Sequence, residues 1–131
     1  MVYNKGKSTF AYMAFPYSDD PKGNTLKARL LAKKIMDFNP NIFVLIPHTG
    51  LDMTLFGEFH ERAKTHGVND HYSACALEFI ILDKIDLFII GTHYTDMSNG
   101  MIWEHAYVDK LNMERKKVID VKFAEELLRD D

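Results

Sequence analysis

At 131 residues, 47% of them hydrophobic, the chain has the size of one ordinary domain and can close a single core without disulfides or a structural metal. Sixteen Lys and Arg against nineteen Asp and Glu leave a formal charge of −3 with the signs interspersed, so no cationic stripe can track a phosphate backbone and nucleic acid is not an expected partner. The single Cys75 can form neither an internal disulfide nor a cysteine metal cluster, the opening Met-Val-Tyr-Asn-Lys-Gly-Lys lacks a secretory apolar stretch, and no run approaches ~18 apolar residues; the expectation is a soluble, cytoplasmic protein without a membrane partner.

In chain order, Phe10 to Phe15 is a short apolar run that ends at Pro16 and empties into a polar Tyr-Ser-Asp-Asp-Pro-Lys-Gly-Asn stretch, the pattern of a buried strand followed by a loop. From Thr25 to Phe38, Leu26, Leu30, Leu31, Ile35 and Met36 recur at helical spacing, Asn24 or Thr25 can cap the start, and Asn39-Pro40 stops the helix. Ile42 to Ile46 is β-branched and aromatic, which completes a strand-helix-strand unit. Pro47 to Asp70 is irregular, with room for a helix over Leu51–Ala63. His71 to Lys84 predicts a helix burying Ala74, Leu77, Ile81 and Leu82, and Asp86-Leu-Phe-Ile-Ile-Gly a third strand. A polar loop, Thr92 to Asn99, precedes a helix from about Gly100 to Asn112 with Ile102, Ala106, Val108 and Leu111 available for its buried side. Val118-Ile-Asp-Val is a fourth strand, and Phe123 to Leu128 a short closing helix.

Alternating strands and helices imply one α/β domain over residues 1–131, flavodoxin-like or Rossmann-like, with a mostly parallel four- or five-stranded sheet between two helical layers. Ligands in such sheets sit beyond the carboxyl ends of the strands, where the loops from Pro16, Pro47 and Thr92 meet.

The segment Thr92 to Glu104 joins a polar loop, a cap at Ser98, a glycine at Gly100 and a carboxylate about one and a half turns into a helix. Backbone N–H groups at a helix start favour anions, so Ser98 and Asn99 can serve a phosphate or help keep Glu104 ionised. The plainer alternative is that Ser98 only caps the helix and Glu104 is a solvated helical carboxylate.

Tyr12-Met-Ala-Phe-Pro-Tyr-Ser, Asp86-Leu-Phe-Ile-Ile and Ser98-Asn-Gly-Met-Ile-Trp-Glu-His-Ala, in this order, resemble the nucleoside 2-deoxyribosyltransferase family over roughly Phe10 to Val121. They also resemble its relatives, the 2′-deoxynucleoside 5′-phosphate N-hydrolases, and phage or bacterial proteins that open with Tyr-Leu-Ala-x-Pro-Tyr-Ser. The resemblance implies that Glu104 is the nucleophile at the anomeric carbon and that Gly100 gives the substrate room. It implies that Ser98 replaces a polar substrate-binding residue, that Glu78 helps protonate the departing base, and that Tyr12 borders the sugar pocket. A serine at position 98, where the transferases carry an acid, favours a nucleoside 5′-phosphate over a free nucleoside; hydrolase and transferase are not separated. Phe15 and Pro16 also border the pocket, and the bulk of Phe15 is the main hint of a rival reading, a nucleotide-binding protein without turnover. The resemblance further implies a homo-oligomer whose pockets a neighbour completes, and no metal or organic cofactor.

Of the six histidines, none forms a pair at metal-ligand spacing, and His48, at a strand's carboxyl end, is the one expected to line the pocket. Glu78 reads equally as an exposed helical residue. Trp103 and Tyr107 suit base stacking, a subunit contact or core packing. Asp19-Asp20 is like the acidic pair of receiver domains, but strands two and three run out into Ile46-Pro-His-Thr and Gly91-Thr-His-Tyr without a phosphoacceptor aspartate, so the pair reads as loop or turn.

Overall fold

A computed structural model describes residues 2–17, 19–46, 82, 84–114 and 118–129. The expected helix over Leu51–Ala63 and most of the one over His71–Lys84 lie outside the described residues. Strands β1 (Thr9–Ala14), β2 (Ile42–Leu45), β3 (Leu87–Ile90) and β4 (Asp120–Phe123) form one all-parallel sheet in the order β2-β1-β3-β4. Helix α1 (Pro21–Phe38) connects β1 to β2, and α2 (Asn99–Glu114) connects β3 to β4. The chain is thus an α/β protein with the flavodoxin-like, Rossmann-like arrangement. No helix among the described residues is long and apolar enough to cross a membrane.

Parity along the strands sorts the core into two halves. Ala11 and Met13 of β1, with Leu87 and Ile89 of β3 and Ile42 and Val44 of β2, face Ala28, Ala32 and Ile35 of α1. Tyr12 and Ala14, with Phe88 and Ile90, face Met101, Val108 and Leu111 of α2. Covered on both sides, β1 and β3 are apolar in almost every position, as central parallel strands are.

Helix α1 departs from its sequence pattern. It begins at Pro21, four residues earlier than the leucine spacing suggested. Asp20 is its cap, the carboxylate accepting from the Gly23 amide at 3.3 Å, and proline fits the first turn because its missing N–H has no helical partner there. Asp19 accepts from Asn24 Nδ2 at 2.7 Å, so both acidic residues organise the loop and the helix start. The buried stripe is Asn24, Ala28, Ala32 and Ile35, while Leu26 and Leu30 are more than half exposed. The small side chains let the helix lie close to a sheet face already filled by Met13, Val44 and Ile89, and Leu31 and Met36 flank that contact. Buried Asn39 closes the helix: its Nδ2 donates to the Ile35 and Leu127 carbonyls at 3.1 and 2.8 Å, tying α1 to the closing 3-10 turn Ala124–Leu128.

Helix α2 corrects a second expectation. Its buried positions are Met101, Glu104, Val108 and Leu111, whereas Ile102 is half exposed and Ala106 faces solvent. The spacing of three, four and three residues is an ordinary core stripe, with a glutamate where a hydrophobe would normally stand.

Candidate functional site

The strand order reverses direction between β1 and β3: the chain leaves β1 through α1 on one face and β3 through α2 on the other. This switch point is where open α/β sheets hold ligands, and the loops after Ala14 and Ile90 open from it. The two strand ends approach closely. Gly91 N donates to Ala14 O at 2.9 Å, and a Cβ built on Gly91 would stand 2.9 Å from that oxygen and 2.6 Å from Phe15 Cδ2. Only glycine fits there without displacing its neighbours.

Glu104 stands on the α2 side of this junction and is 5% exposed. Tyr12, fully buried on β1, donates its hydroxyl to Glu104 Oε2. The parallel register sets Tyr12 beside Phe88, their rings stacked at 6.0 Å and 12°, and Phe88 stacks in turn on His105 with the same separation and angle. His105 lies 3.6 Å from Asp109 one turn on. A row of rings therefore fixes the phenol that holds the glutamate. The reading of Glu104 as a solvated helical carboxylate is overturned by its burial. Taking a carboxylate out of water is costly unless it is hydrogen-bonded or paired, and a donor to the carboxylate favours its ionised form.

The helix start divides the remaining candidates. Ser98 caps α2, its Oγ accepting from Met101 N at 3.3 Å, so capping accounts for this hydroxyl. Asn99 is exposed. Neither Gly91 nor Gly100 has a positive φ, but the two differ in packing: a Cβ on Gly100 would meet only Ser98 Oγ at 3.9 Å. Neither backbone conformation nor packing among the described residues demands a glycine.

Phe15 and Pro16 are half-buried at the end of β1. The Phe15 ring packs against the α1-side core, on the opposite face of the sheet from Tyr12 and Glu104, so its bulk is directed away from the glutamate. Tyr107 packs against the α2-side core, and Trp103 is 38% exposed beside Glu104. Glu78 and His48 lie outside the described residues, so neither is placed relative to Glu104. Among the described residues, no group of three or more His, Cys, Asp or Glu is arranged to hold a metal ion.

Sequence reading passed over Phe88 and His105. The signal was present in the alternation of Asp86-Leu-Phe-Ile-Ile, which puts Phe88 on the face of Tyr12 once the strands are paired, and in the adjacency of His105 to Glu104. Comparison with known proteins finds no matching family model, no matching curated protein and no matching solved structure.

Proposed function

We propose that the protein cleaves or transfers the N-glycosidic bond of a 2′-deoxynucleoside 5′-phosphate, or of the nucleoside, with Glu104 as nucleophile. The observation that carries this reading is a buried glutamate on the core stripe of α2, held by the Tyr12 hydroxyl beside the switch point of the sheet. A position that would favour a hydrophobe on stability grounds keeps a carboxylate, and a fixed carboxylate is what a double displacement needs.

In the proposed reaction the Glu104 carboxylate attacks the anomeric carbon while the bond to the base nitrogen breaks. The base leaves with that electron pair and takes a proton from Glu78, and the sugar remains as an ester of Glu104. Water, or a second base, then attacks the same carbon, gives its proton to the Glu78 carboxylate and releases Glu104, so two inversions give net retention. A 2′-deoxy sugar suits this path because no electron-withdrawing 2′-hydroxyl opposes the oxocarbenium-like transition state. Tyr12 positions the nucleophile, Gly100 leaves space for the sugar, and Ser98 and Asn99 lie towards the 5′ end. His48 and Pro16 border the base or sugar, and a neighbouring subunit completes the pocket. The step uses no metal or organic cofactor.

The test is to incubate the protein with a panel of 2′-deoxynucleosides and their 5′-monophosphates and follow free base by chromatography, beside Glu104→Gln. Base release that the variant abolishes is the expected result, and transfer of labelled sugar to an added base distinguishes transferase from hydrolase. Binding without release across the panel would instead identify a non-catalytic nucleotide-binding protein.

A further inference from the structure

Two side chains that the proposed reaction does not use brace the pair that holds its nucleophile. Phe88 is fully buried on β3 in register with Tyr12 on β1, and its ring stands 6.0 Å from the phenol ring at 12° to it. The His105 ring stands at the same distance and angle from Phe88. Because His105 follows Glu104 directly on α2, the contacts close a loop: Glu104 to Tyr12 by a hydrogen bond, Tyr12 to Phe88 and Phe88 to His105 by ring packing, and His105 to Glu104 by one peptide link. A hydrogen bond by itself fixes the phenol oxygen but lets the ring turn about its side-chain torsions and carry the carboxylate with it. A flat ring packed beside the phenol removes that freedom. The outer end of the row is itself held on α2, where His105, its side chain 35% exposed, lies 3.6 Å from Asp109.

We infer that Phe88 is a positioning residue for Glu104, acting through the Tyr12 phenol and braced by His105. This role rests on the glycosidic reading, in which the Glu104 carboxylate must meet the anomeric carbon in line with the breaking bond. A small misplacement of a reacting group lowers the rate far more than it weakens substrate binding. Being fully buried, Phe88 does not touch the substrate, so its loss should appear in kcat and not in KM.

The experiment is steady-state kinetics of base release from the 2′-deoxynucleoside 5′-monophosphate that the wild type turns over fastest, on Phe88→Leu, Tyr12→Phe, their double variant and Ile89→Ala. Ile89 is equally buried one residue along β3 but faces α1, so it reports what lost packing does by itself. Phe88→Leu should lower kcat roughly tenfold or more with KM within about twofold, whereas Ile89→Ala should leave both unchanged. Added to Tyr12→Phe, Phe88→Leu should cause no further loss. His105→Ala should lower kcat severalfold and His105→Phe, which keeps a ring, should restore it; this arm stands even where Phe88→Leu does not fold. The Tyr12–Glu104 coupling, read from urea denaturation, should fall by about half or more in the Phe88→Leu or the His105→Ala background. Unchanged kcat in Phe88→Leu, an equal loss in Ile89→Ala, losses additive with Tyr12→Phe, or an undiminished coupling would overturn the role. A wild type that releases no base would overturn the glycosidic reading instead, and the coupling would then decide by itself whether Phe88 holds the pair.

Discussion

Replacing Tyr12 by Phe isolates the contact on which the functional reading turns. The substitution keeps the ring, which is fully buried and stacked on Phe88, and removes only the hydroxyl that donates to Glu104. A hydrogen bond to a charged group contributes about 1.5–3 kcal/mol, and with Glu104 at 5% exposure water cannot readily replace the donor. Tyr12→Phe should therefore cost about 2 kcal/mol, which at roughly 4 °C per kcal/mol for a domain of this size lowers Tm by about 8 °C. Removing both polar partners is a different perturbation: in Tyr12→Phe/Glu104→Met no charge is left buried, and stability should return to within about 1 kcal/mol of the wild type. Urea denaturation of the wild type, the single variants and the double variant completes the cycle. A Tyr12→Phe cost below about 0.5 kcal/mol, or additive effects in the double variant, would refute the claim that this pair is a coupled, buried interaction.

Gly91→Ala should cost about 1–3 kcal/mol, because its Cβ would meet the Ala14 carbonyl oxygen at 2.9 Å as well as the Phe15 ring, and adding Phe15→Ala should recover only part of the loss in a melting assay. Gly100→Ala should behave in the opposite way: with only Ser98 Oγ near, stability should hold or rise by about 0.5–1 kcal/mol, while turnover falls if the sugar occupies that space. Leu30→Lys should change stability by no more than about 0.5 kcal/mol, and Ala28→Leu on the buried stripe should cost about 1–3 kcal/mol, both read from urea midpoints. Burial, with the hydrogen bond to Asp120 as the next cause, pushes the Tyr3 hydroxyl well above its ordinary pKa. The folded state thus holds this proton more tightly than the unfolded chain, so the contribution is complete below pH about 10 and is lost as pH rises through the folded value. Wild type should consequently lose more stability than Tyr3→Phe between about pH 9 and 11 in parallel denaturation curves.

The sheet was legible because its signal is local. Phe10 to Phe15 and Leu87 to Ile90 are apolar on both parities, the pattern of central parallel strands, Ile42 to Ile46 is a β-branched and aromatic run, and the helical stretches between strands force crossover connections. The helix faces were less legible because counting apolar residues favours size over fit. In α1 the large leucines drew the predicted face to positions 26 and 30, yet the sheet already supplies the bulk and admits an Asn24, Ala28, Ala32 stripe. In α2 the same habit favoured Ile102 over Glu104. Starting the α1 reading at the first leucine also hid Asp20, although an acidic residue before proline is a recognisable helix start.

The α2 misreading bears most directly on function. Period alone permits a stripe through Met101, Val108 and Leu111, and continuing it by one step of three from Met101 reaches Glu104. Hydrophobicity rejects that position, so a reading based on both criteria rotates the helix and leaves the glutamate in solvent. Where the two criteria disagree at one position of an otherwise regular stripe, the polar residue must find a buried partner, and here it is Tyr12, 92 residues away in the chain. Such a pair costs more to maintain than an apolar contact of the same shape, which is why its presence beside a switch point supports a role in chemistry over a role in packing. The two faces of the sheet should respond differently to change: on the α1 side, core substitutions should alter stability alone, whereas on the α2 side Tyr12 and Glu104 should trade stability against turnover.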